Sequence, residues 1–176
     1  MNEPAVFTGA GYFLGIHAPG RTGLRNFLPA IHHVVLSMVS SAKKLREILP
    51  GANIGTTFSC SHIEPYSQKP RDIKAATRAD ALINRLFIEP LLGMGYPDKD
   101  VPVLKGIAKY RQPGDERLMT FDFDFIGVQN YTREVVRFSV FTPYIYAKLV
   151  KAGKRNVPLT KMGWGGYRRA IYNMLK

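Results

Sequence analysis

The sequence contains histidine, cysteine and glutamate residues of the types that bind metals or catalyse reactions. The spacing of the most obvious ones argues against a metal or nucleophile site. His32 and His33 suggest a metal pair, yet adjacent residues of a helix point about 100° apart and cannot easily share one ion, so we interpret both as structural. Cys60 lacks a convincing Cys-His-acid set and is interpreted as a small buried core residue. The Asn-Glu-Pro triplet at 2–4 would, if it stood alone, be interpreted as a surface turn with a capping Asn.

The periodicity of the apolar side chains predicts the elements that must position such residues. Apolar residues recur at steps of three or four over 25–49, which predicts an amphipathic helix, and a second helix pattern runs over about 70–92. Residues 53–60 are β-branched and rich in small side chains, which predicts a buried strand. We further predict a strand in a sheet covered on both sides over 121–131, a short hairpin arm over 133–141 and the beginning of a helix over 166–176.

Strands that alternate with long helices predict βαβ units, a parallel sheet and therefore an α/β fold. Two architectures remain, an open doubly wound sheet and part of a barrel. An open nucleotide-binding sheet should carry a glycine-rich phosphate turn directly after a strand, and neither 9–20 nor 93–97 has that spacing or that preceding strand. A complete eight-stranded barrel typically needs about 250 residues, so a chain of 176 residues could hold only part of one.

Length, composition and charge limit the class of protein further. With 176 residues, 45% of them hydrophobic, the chain is expected to form one domain with a genuine core. The apolar stretches fall short of the roughly 18 to 20 residues of a membrane span. The single Cys and the absence of a secretory signal pattern favour the cytoplasm. The net charge of +12 is concentrated after Glu134, as in a solvated basic surface, so nucleic acid is not an expected partner, and the short apolar stretches make a membrane an unexpected one as well.

Five motifs, taken together and in order, resemble the family 1 glycoside hydrolases, the β-glucosidase family. Any one of them alone would be weak evidence, but together they extend over nearly the whole chain. They are NEP at 2–4, GIHAPG at 15–20, AATRADALINRLFIEPLLGMGYP at 75–97, DFIGVQNYT at 124–132 and TKMGW at 160–164.

The resemblance implies a (β/α)8 barrel with a sugar site at the carboxyl ends of its strands and two glutamates that perform double-displacement chemistry. Glu3 matches the general acid/base, which in the family closes strand four. Its carboxyl group must be protonated to release the leaving group and ionised to activate water, so the fold must raise its pKa. Asn2 matches the residue that hydrogen-bonds the sugar 2-hydroxyl, a contact that strengthens in the transition state.

Five further positions are placed near the site by the same resemblance. His17 lies in a loop that borders the site, and Ser59, at the end of the predicted fifth strand, stands where the family commonly has Asn. Gln129 occupies the Asn position of a Gly-x-Asn-Tyr-Tyr pattern, and Tyr131 matches the Tyr that holds the nucleophilic carboxylate. Trp164 resembles the Trp on which the sugar ring stacks, because an aromatic face suits the apolar C–H face of a pyranose.

The second carboxylate is missing from the sequence. Retaining hydrolysis needs a nucleophile about 5 to 5.5 Å from the acid/base, and the family supplies it in a Thr-Glu-Asn-Gly-like motif of strand seven, which the 176 residues lack. His62 and Glu64 are expected in a loop near the site mouth, and the other glutamates in helices, loops or the arm. We therefore expect a single partial (β/α)8 domain over 1–176, roughly strands five and six with their helices, not closed by this chain alone and inactive by itself.

The resemblance also implies the partners. A β-linked glycoside is the expected substrate, and no metal or organic cofactor is needed because carboxylates suffice for this chemistry. An alternative is a non-catalytic sugar-binding or interaction remnant that keeps Asn2, Gln129 and Trp164. Since an unclosed barrel exposes strand edges, we also expect self-association.

Overall fold

A computed structural model describes residues 1–175 of the chain. The α-helices are α1 (Pro4–Thr8), α2 (Leu24–Ile48), α3 (Pro70–Asp80), α4 (Leu86–Leu91) and α5 (Ala170–Leu175). The strands are β1 (Gly55–Ser59), β2 (His62–Pro65), β3 (Phe125–Gln129), β4 (Arg133–Phe138) and β5 (Ala147–Leu149). Short π-helical segments follow α1 (Gly9–Phe13) and α3 (Ala81–Arg85), and 3-10 helices cover Pro102–Tyr110, Asp115–Leu118 and Ala152–Lys154.

The chain forms two compact units, each assembled from separate segments. The first contains Met1–Phe58, Arg85–Asp98 and Val103–Val128. The second contains Ser59–Asn84, Lys99–Pro102 and the described residues from Gln129 onward. Because each unit draws on three stretches of sequence, neither is a domain in the sequential sense. The prediction of one partial barrel domain over 1–176 stays a prediction.

In the first unit, the predicted helix over 25–49 is confirmed as α2. Its buried face follows the predicted spacing, and the residues it buries include Phe27, Ile31, Val35, Met38, Val39 and Ala42. Apolar residues three and four apart fall on one side of a helix, which drives that side into the core. The helix ends at Ile48, shortly before Pro50, since the α conformation is disfavoured for the residue that precedes a proline.

Strands β1 and β3 pair in a two-stranded sheet. The predicted strand over 53–60 is confirmed as β1, but the one over 121–131 shortens to β3. Ahead of β3, the Asp124 N–H still donates to the Ile54 carbonyl over 2.9 Å, but the Ile54 N–H donates to the Asp124 carboxylate, which also accepts from the Arg46 guanidinium, so the backbone pairing ends here. The prediction of a strand covered on both sides is wrong, since Phe125, Ile126 and Val128 are exposed: within the described residues no second layer packs over them.

A buried polar network ties α2 to the loops of the first unit. The imidazole of His32 is fully buried, with Nε2 2.8 Å from a carboxylate oxygen of Asp115 and Nδ1 3.0 Å from the hydroxyl of Tyr96. Burial raises the pKa of Tyr96, so its hydroxyl stays protonated and donates to Nδ1. Nε2–H then donates to the carboxylate, which also accepts from the Gln112 N–H. This network supports the interpretation of His32 as structural.

The network predicts a specific loss of stability in acid. The hydrogen bonds from the Gln112 N–H and from His32 hold the pKa of Asp115 below its usual range. A depressed pKa adds stability above the unfolded value of about 4, and that stability is lost as pH falls through the folded pKa. We expect the free energy of unfolding, measured with urea, to fall less steeply below about pH 4 in Asp115→Asn than in the unmodified chain. In Glu116→Gln, which changes an exposed neighbour, the free energy of unfolding should fall as steeply below about pH 4 as in the unmodified chain. An equally steep fall in Asp115→Asn would show that the Asp115 carboxylate does not cause this loss of stability.

The second unit is built on the three-stranded sheet β2-β4-β5 with α3 packed against it. Strand β4 pairs parallel with β2, from His62↔Arg133 to Pro65↔Val136, and antiparallel with β5. The apolar core of the second unit consists of Ala75, Ala76, Ala79, Val136 and Ala147, with Ile63, Ile83 and Phe138 packed against it. The predicted hairpin arm over 133–141 corresponds to β4, which forms an antiparallel pair with the next strand, β5, and also pairs with β2. His62 and Glu64, expected in a loop, lie in β2.

Candidate active site

Asn2 and Glu3 are held against β1 in the first unit. The Glu3 N–H donates to the Thr57 carbonyl over 3.1 Å, and the Thr57 N–H donates to the Met1 carbonyl over 3.3 Å. The Thr57 hydroxyl donates to the side-chain oxygen of Asn2 over 2.6 Å. Residues 1–3 thus run parallel to β1, with a bridge at Asn2↔Thr57. The amide and the carboxyl group are presented from a fixed backbone.

The backbone of Glu3 adopts an unusual conformation. Its φ is 46°, in the left-handed region, directly before α1 begins at Pro4. Such a conformation costs a non-glycine residue about 1 to 3 kcal/mol and persists where surrounding contacts enforce it, often at functional sites. The hydrogen bonds of residues 1–3 to Thr57 and the start of α1 therefore fix the direction in which the half-buried side chain of Glu3 projects.

His17 is exposed in the loop that follows the first π-helical segment. Its backbone N–H donates to the Ala10 carbonyl over 3.2 Å, and the Ile16 N–H donates to the same oxygen over 2.9 Å. The loop is therefore tied to the segment after α1. The resemblance places His17 near the site, and that placement stays a prediction.

Three other predicted site residues meet in the second unit. The Tyr131 hydroxyl lies 3.4 Å from the side-chain oxygen of Gln129, and its ring lies 5.3 Å from that of Trp164, tilted by 44°. Tyr131 and Trp164 keep 52% and 39% of their surface exposed, so both offer aromatic surface to a ligand. Ser59 is half-buried at the end of β1, and the N–H of the next residue, Cys60, donates to the Gln129 carbonyl over 2.9 Å.

A polar cluster on the same unit joins His62 and Glu64, which the sequence placed near the site mouth, to two residues that it did not single out. Glu64 accepts from His62 Nε2 over 2.9 Å and from the Arg133 guanidinium over 3.0 Å. Tyr167 packs between the two donors, with its ring 6.0 Å from the His62 ring and 4.3 Å from the Arg133 guanidinium carbon. The alternation of His62 and Glu64 could have indicated one face of a strand. Nothing local pointed to Tyr167, which is 103 residues beyond Glu64.

Tyr167 is expected to hold residues 166–175 on the second unit. In Tyr167→Ala we expect the free energy of unfolding to fall by about 1 to 2 kcal/mol, because a cation–π contact and a stacked ring are lost. Tyr172→Ala is the matched control, since Tyr172 lies in α5 with 66% of its surface exposed. Limited proteolysis should cut near α5 faster in the first variant only. Equal cleavage of the two variants would show that Tyr167 does not anchor this segment.

Within residues 1–175, no three His, Cys, Asp or Glu side chains are grouped so that they could hold a metal ion. No helix in that range is long and apolar enough to cross a membrane. The pKa of the Cys60 thiol is raised by burial, and a thiol in such surroundings is a poor nucleophile.

A sequence model described as glycosyl hydrolase family 1 matches residues 1–176. The chain belongs to this family. Beta-glucosidase A of Acetivibrio thermocellus is 34% identical over 99% of this chain and 39% of its own length. A 1,4-beta-D-glucan glucohydrolase of Thermotoga neapolitana is 29% identical over 100% of this chain and 41% of its own length. The family 1 chain thus spans about two fifths of these relatives.

Solved structures give the same result for the fold. The AHE enzyme of Alicyclobacillus herbarius superposes with a TM-score of 0.89 at 28% identity, over 99% of this chain and 39% of that one. A family 1 β-glucosidase of Thermotoga maritima in complex with isofagomine lactam superposes with a TM-score of 0.85 at 29% identity, over 100% of this chain and 39% of that one. The chain therefore has the fold of part of a family 1 (β/α)8 enzyme, and its described residues form no closed barrel.

Proposed function

We propose that this chain is the acid/base-bearing part of a retaining glycoside hydrolase of the β-glucosidase type. Glu3 would protonate the leaving group and then activate water, and Asn2 would hydrogen-bond the 2-hydroxyl of the sugar. The main support for this proposal is that backbone and side-chain hydrogen bonds to Thr57 hold Asn2 and Glu3 next to each other alongside β1. Relatives named as β-glucosidases, aligned over nearly all of the chain, support a β-linked glycoside as substrate.

We further propose that β1 and β3 correspond to strands five and six of the family barrel. The two strands are neighbours in one sheet, and between them in sequence lie β2, which belongs to the other sheet, α3, the second π-helical segment, α4 and two 3-10 helices. A strand, a helix and a neighbouring strand in this order make the repeating unit of such a barrel. Ser59 and Gln129 are then the last residues of the two strands, where barrel enzymes place their site residues.

The proposed chemistry needs a second carboxylate from outside these 176 residues. Three of the other glutamates are paired with basic groups: Glu47 with Lys44, Glu64 with His62 and Arg133, and Glu89 with Arg85. Glu116 is exposed beside Asp115, and Glu134 lies on β4. No glutamate stands in a Thr-Glu-Asn-Gly-like motif. We therefore propose that the chain by itself hydrolyses no glycoside.

Hydrolysis of an aryl β-glucoside tests both parts of this proposal. The first sample is the 176-residue chain, which should release no aryl alcohol above background. The second is a hybrid in which these residues replace the matching segment of the Acetivibrio thermocellus β-glucosidase A, whose flanking segments complete the barrel. We expect the hybrid to be active. Turnover by the isolated chain, or a folded hybrid without turnover, would overturn the proposal.

Self-association is proposed from the surface of β3. Ile126 and Val128, two residues apart on one face of this strand, are 41% and 43% exposed, and Phe125 on the other face is 51% exposed. Apolar strand surface that nothing covers tends to pair with another chain. A second copy of the chain supplies the matching surface.

A further inference from the structure

A cleft of about 390 Å³ opens in the second unit and is lined in part by Trp164 and the glycines on either side of it. The lining also includes Thr132 and Glu134, which flank the first residue of β4, and the turn from Lys151 to Arg155. The turn is closed by bonds from the Lys154 N–H to the Lys151 carbonyl and from the Arg155 N–H to the Ala152 carbonyl, each over 2.9 Å. The Thr132 hydroxyl donates to the Gly165 carbonyl over 3.0 Å, which fixes the backbone next to Trp164. The walls of the cleft are thus held in place before any ligand enters.

Glu134 is the only acidic side chain that lines this cleft. Burial raises the pKa of its carboxyl group, and the Arg155 guanidinium opposes that rise. Among residues 1–175 the carboxyl group makes no hydrogen bond or ion pair, whereas Glu64 on the neighbouring strand is bound by two donors. A half-buried carboxylate without donors is costly unless something else supplies them.

The cleft is also lined by basic groups, which bear on whether the Glu134 carboxyl group is ionised. The other charged groups that line it are Lys151, Lys154 and Arg155. Arg155 is itself fixed, since its Nη1 donates to the Arg133 carbonyl over 3.1 Å. Of these groups, the Arg155 guanidinium favours the ionised form of Glu134, although burial has the larger effect on its pKa. An ionised carboxylate accepts up to four hydrogen bonds, and hydroxyl groups are suitable donors.

The geometry points to a sugar-binding role for Glu134 in the cleft of Trp164: we infer that it accepts hydrogen bonds from hydroxyl groups of a neutral pyranoside whose apolar face lies on the indole ring. This inference rests on the proposed function and extends the substrate site to a residue that the family motifs did not single out. Aromatic surface for C–H groups and a carboxylate for hydroxyl groups are the two features that such a ligand requires. Glu134 would therefore determine specificity without entering the chemistry.

The fluorescence of Trp164 tests this directly, because it is the only Trp of the chain. The 176-residue chain is titrated with methyl β-D-glucopyranoside and with cellobiose, under selective Trp excitation. We expect a saturable change, and an affinity at least tenfold weaker in Glu134→Gln, because a hydrogen bond to a charged group contributes about 1.5 to 3 kcal/mol. Glu116→Gln is the control, since this exposed glutamate lies in the first unit. It should bind like the unmodified chain.

The pH dependence gives a second readout that needs no ligand. Because the pKa of Glu134 is raised, Trp164 emission of the free chain should change as pH falls, at values above the ordinary glutamate range, and this change should be absent in Glu134→Gln. Sugar affinity should weaken over the same range in the unmodified chain only. Near-UV circular dichroism confirms that the variant is folded.

Three outcomes would overturn the inference. They are equal sugar affinity in Glu134→Gln, no saturable response of the folded chain to either sugar, and a response to glucose 6-phosphate alone, which would assign the cleft to an anion held by its basic rim. None of these depends on hydrolysis. A hybrid that hydrolyses glucosides while Glu134→Gln binds them normally would leave the proposed function intact and remove only this inference.

Discussion

Replacing Glu3 with Gln in the hybrid enzyme is expected to lower kcat for an unactivated aryl β-glucoside by about 10²- to 10⁴-fold, the usual contribution of a general acid/base. Gln keeps the size of the side chain but can neither give up a proton nor take one. The backbone bonds that hold Glu3 to Thr57 involve main-chain atoms, so the substitution should leave that geometry unchanged. Folding should be unaffected.

The nature of the leaving group separates loss of acid catalysis from general damage. A dinitrophenolate departs without protonation, so the first step with this substrate should be nearly normal in Glu3→Gln. The second step, which needs a base to activate water, should then limit turnover, and an initial burst of phenolate should appear. Azide, which needs no base to attack, should restore part of the rate.

Two controls accompany this experiment. Glu116→Gln removes an exposed carboxylate of the same unit and should leave kcat unchanged. Thermal unfolding of both hybrids should give the same midpoint within a few degrees. A Glu3→Gln hybrid that retained full activity on the unactivated glucoside would assign the acid/base role to another residue.

Introducing Lys at both Ile126 and Val128 is expected to shift the isolated chain from oligomers toward the monomer. The two side chains lie on one face of β3 and are 41% and 43% exposed. Burial of that surface against a second copy should contribute about 1.5 to 3 kcal/mol, so its loss should raise the dissociation constant by about tenfold or more. Sedimentation velocity over a series of concentrations measures this shift.

A matched control separates the strand surface from apolar exposure and net charge. Ile48→Lys with Leu49→Lys also replaces two exposed apolar residues, 63% and 55% exposed at the end of α2, and adds the same two positive charges. This variant should associate nearly as strongly as the unmodified chain. If both double variants dissociated equally, charge repulsion and not β3 would explain the result.

The sequence alone determined the elements whose signal is local. The spacing of apolar residues located α2 to within one residue at each end, and β-branched residues located β1. The order of five motifs indicated the family, because motifs that are weak evidence singly extend together over nearly the whole chain. Such signals need no knowledge of distant parts of the chain.

Only the tertiary structure decided which residues meet across long separations. The pairing of β4 with β2 joins residues 71 positions apart, and Tyr167 contacts His62 and Arg133 from a segment whose sequence predicted the beginning of a helix but not this contact. The length and exposure of β3 also escaped prediction. An alternating sequence predicts which side chains lie on the same face of a strand. Whether another layer packs on that face depends on distant elements. The cleft that joins Glu134 to Trp164 is of the same kind, since the two residues lie 30 positions apart and only packing places them together.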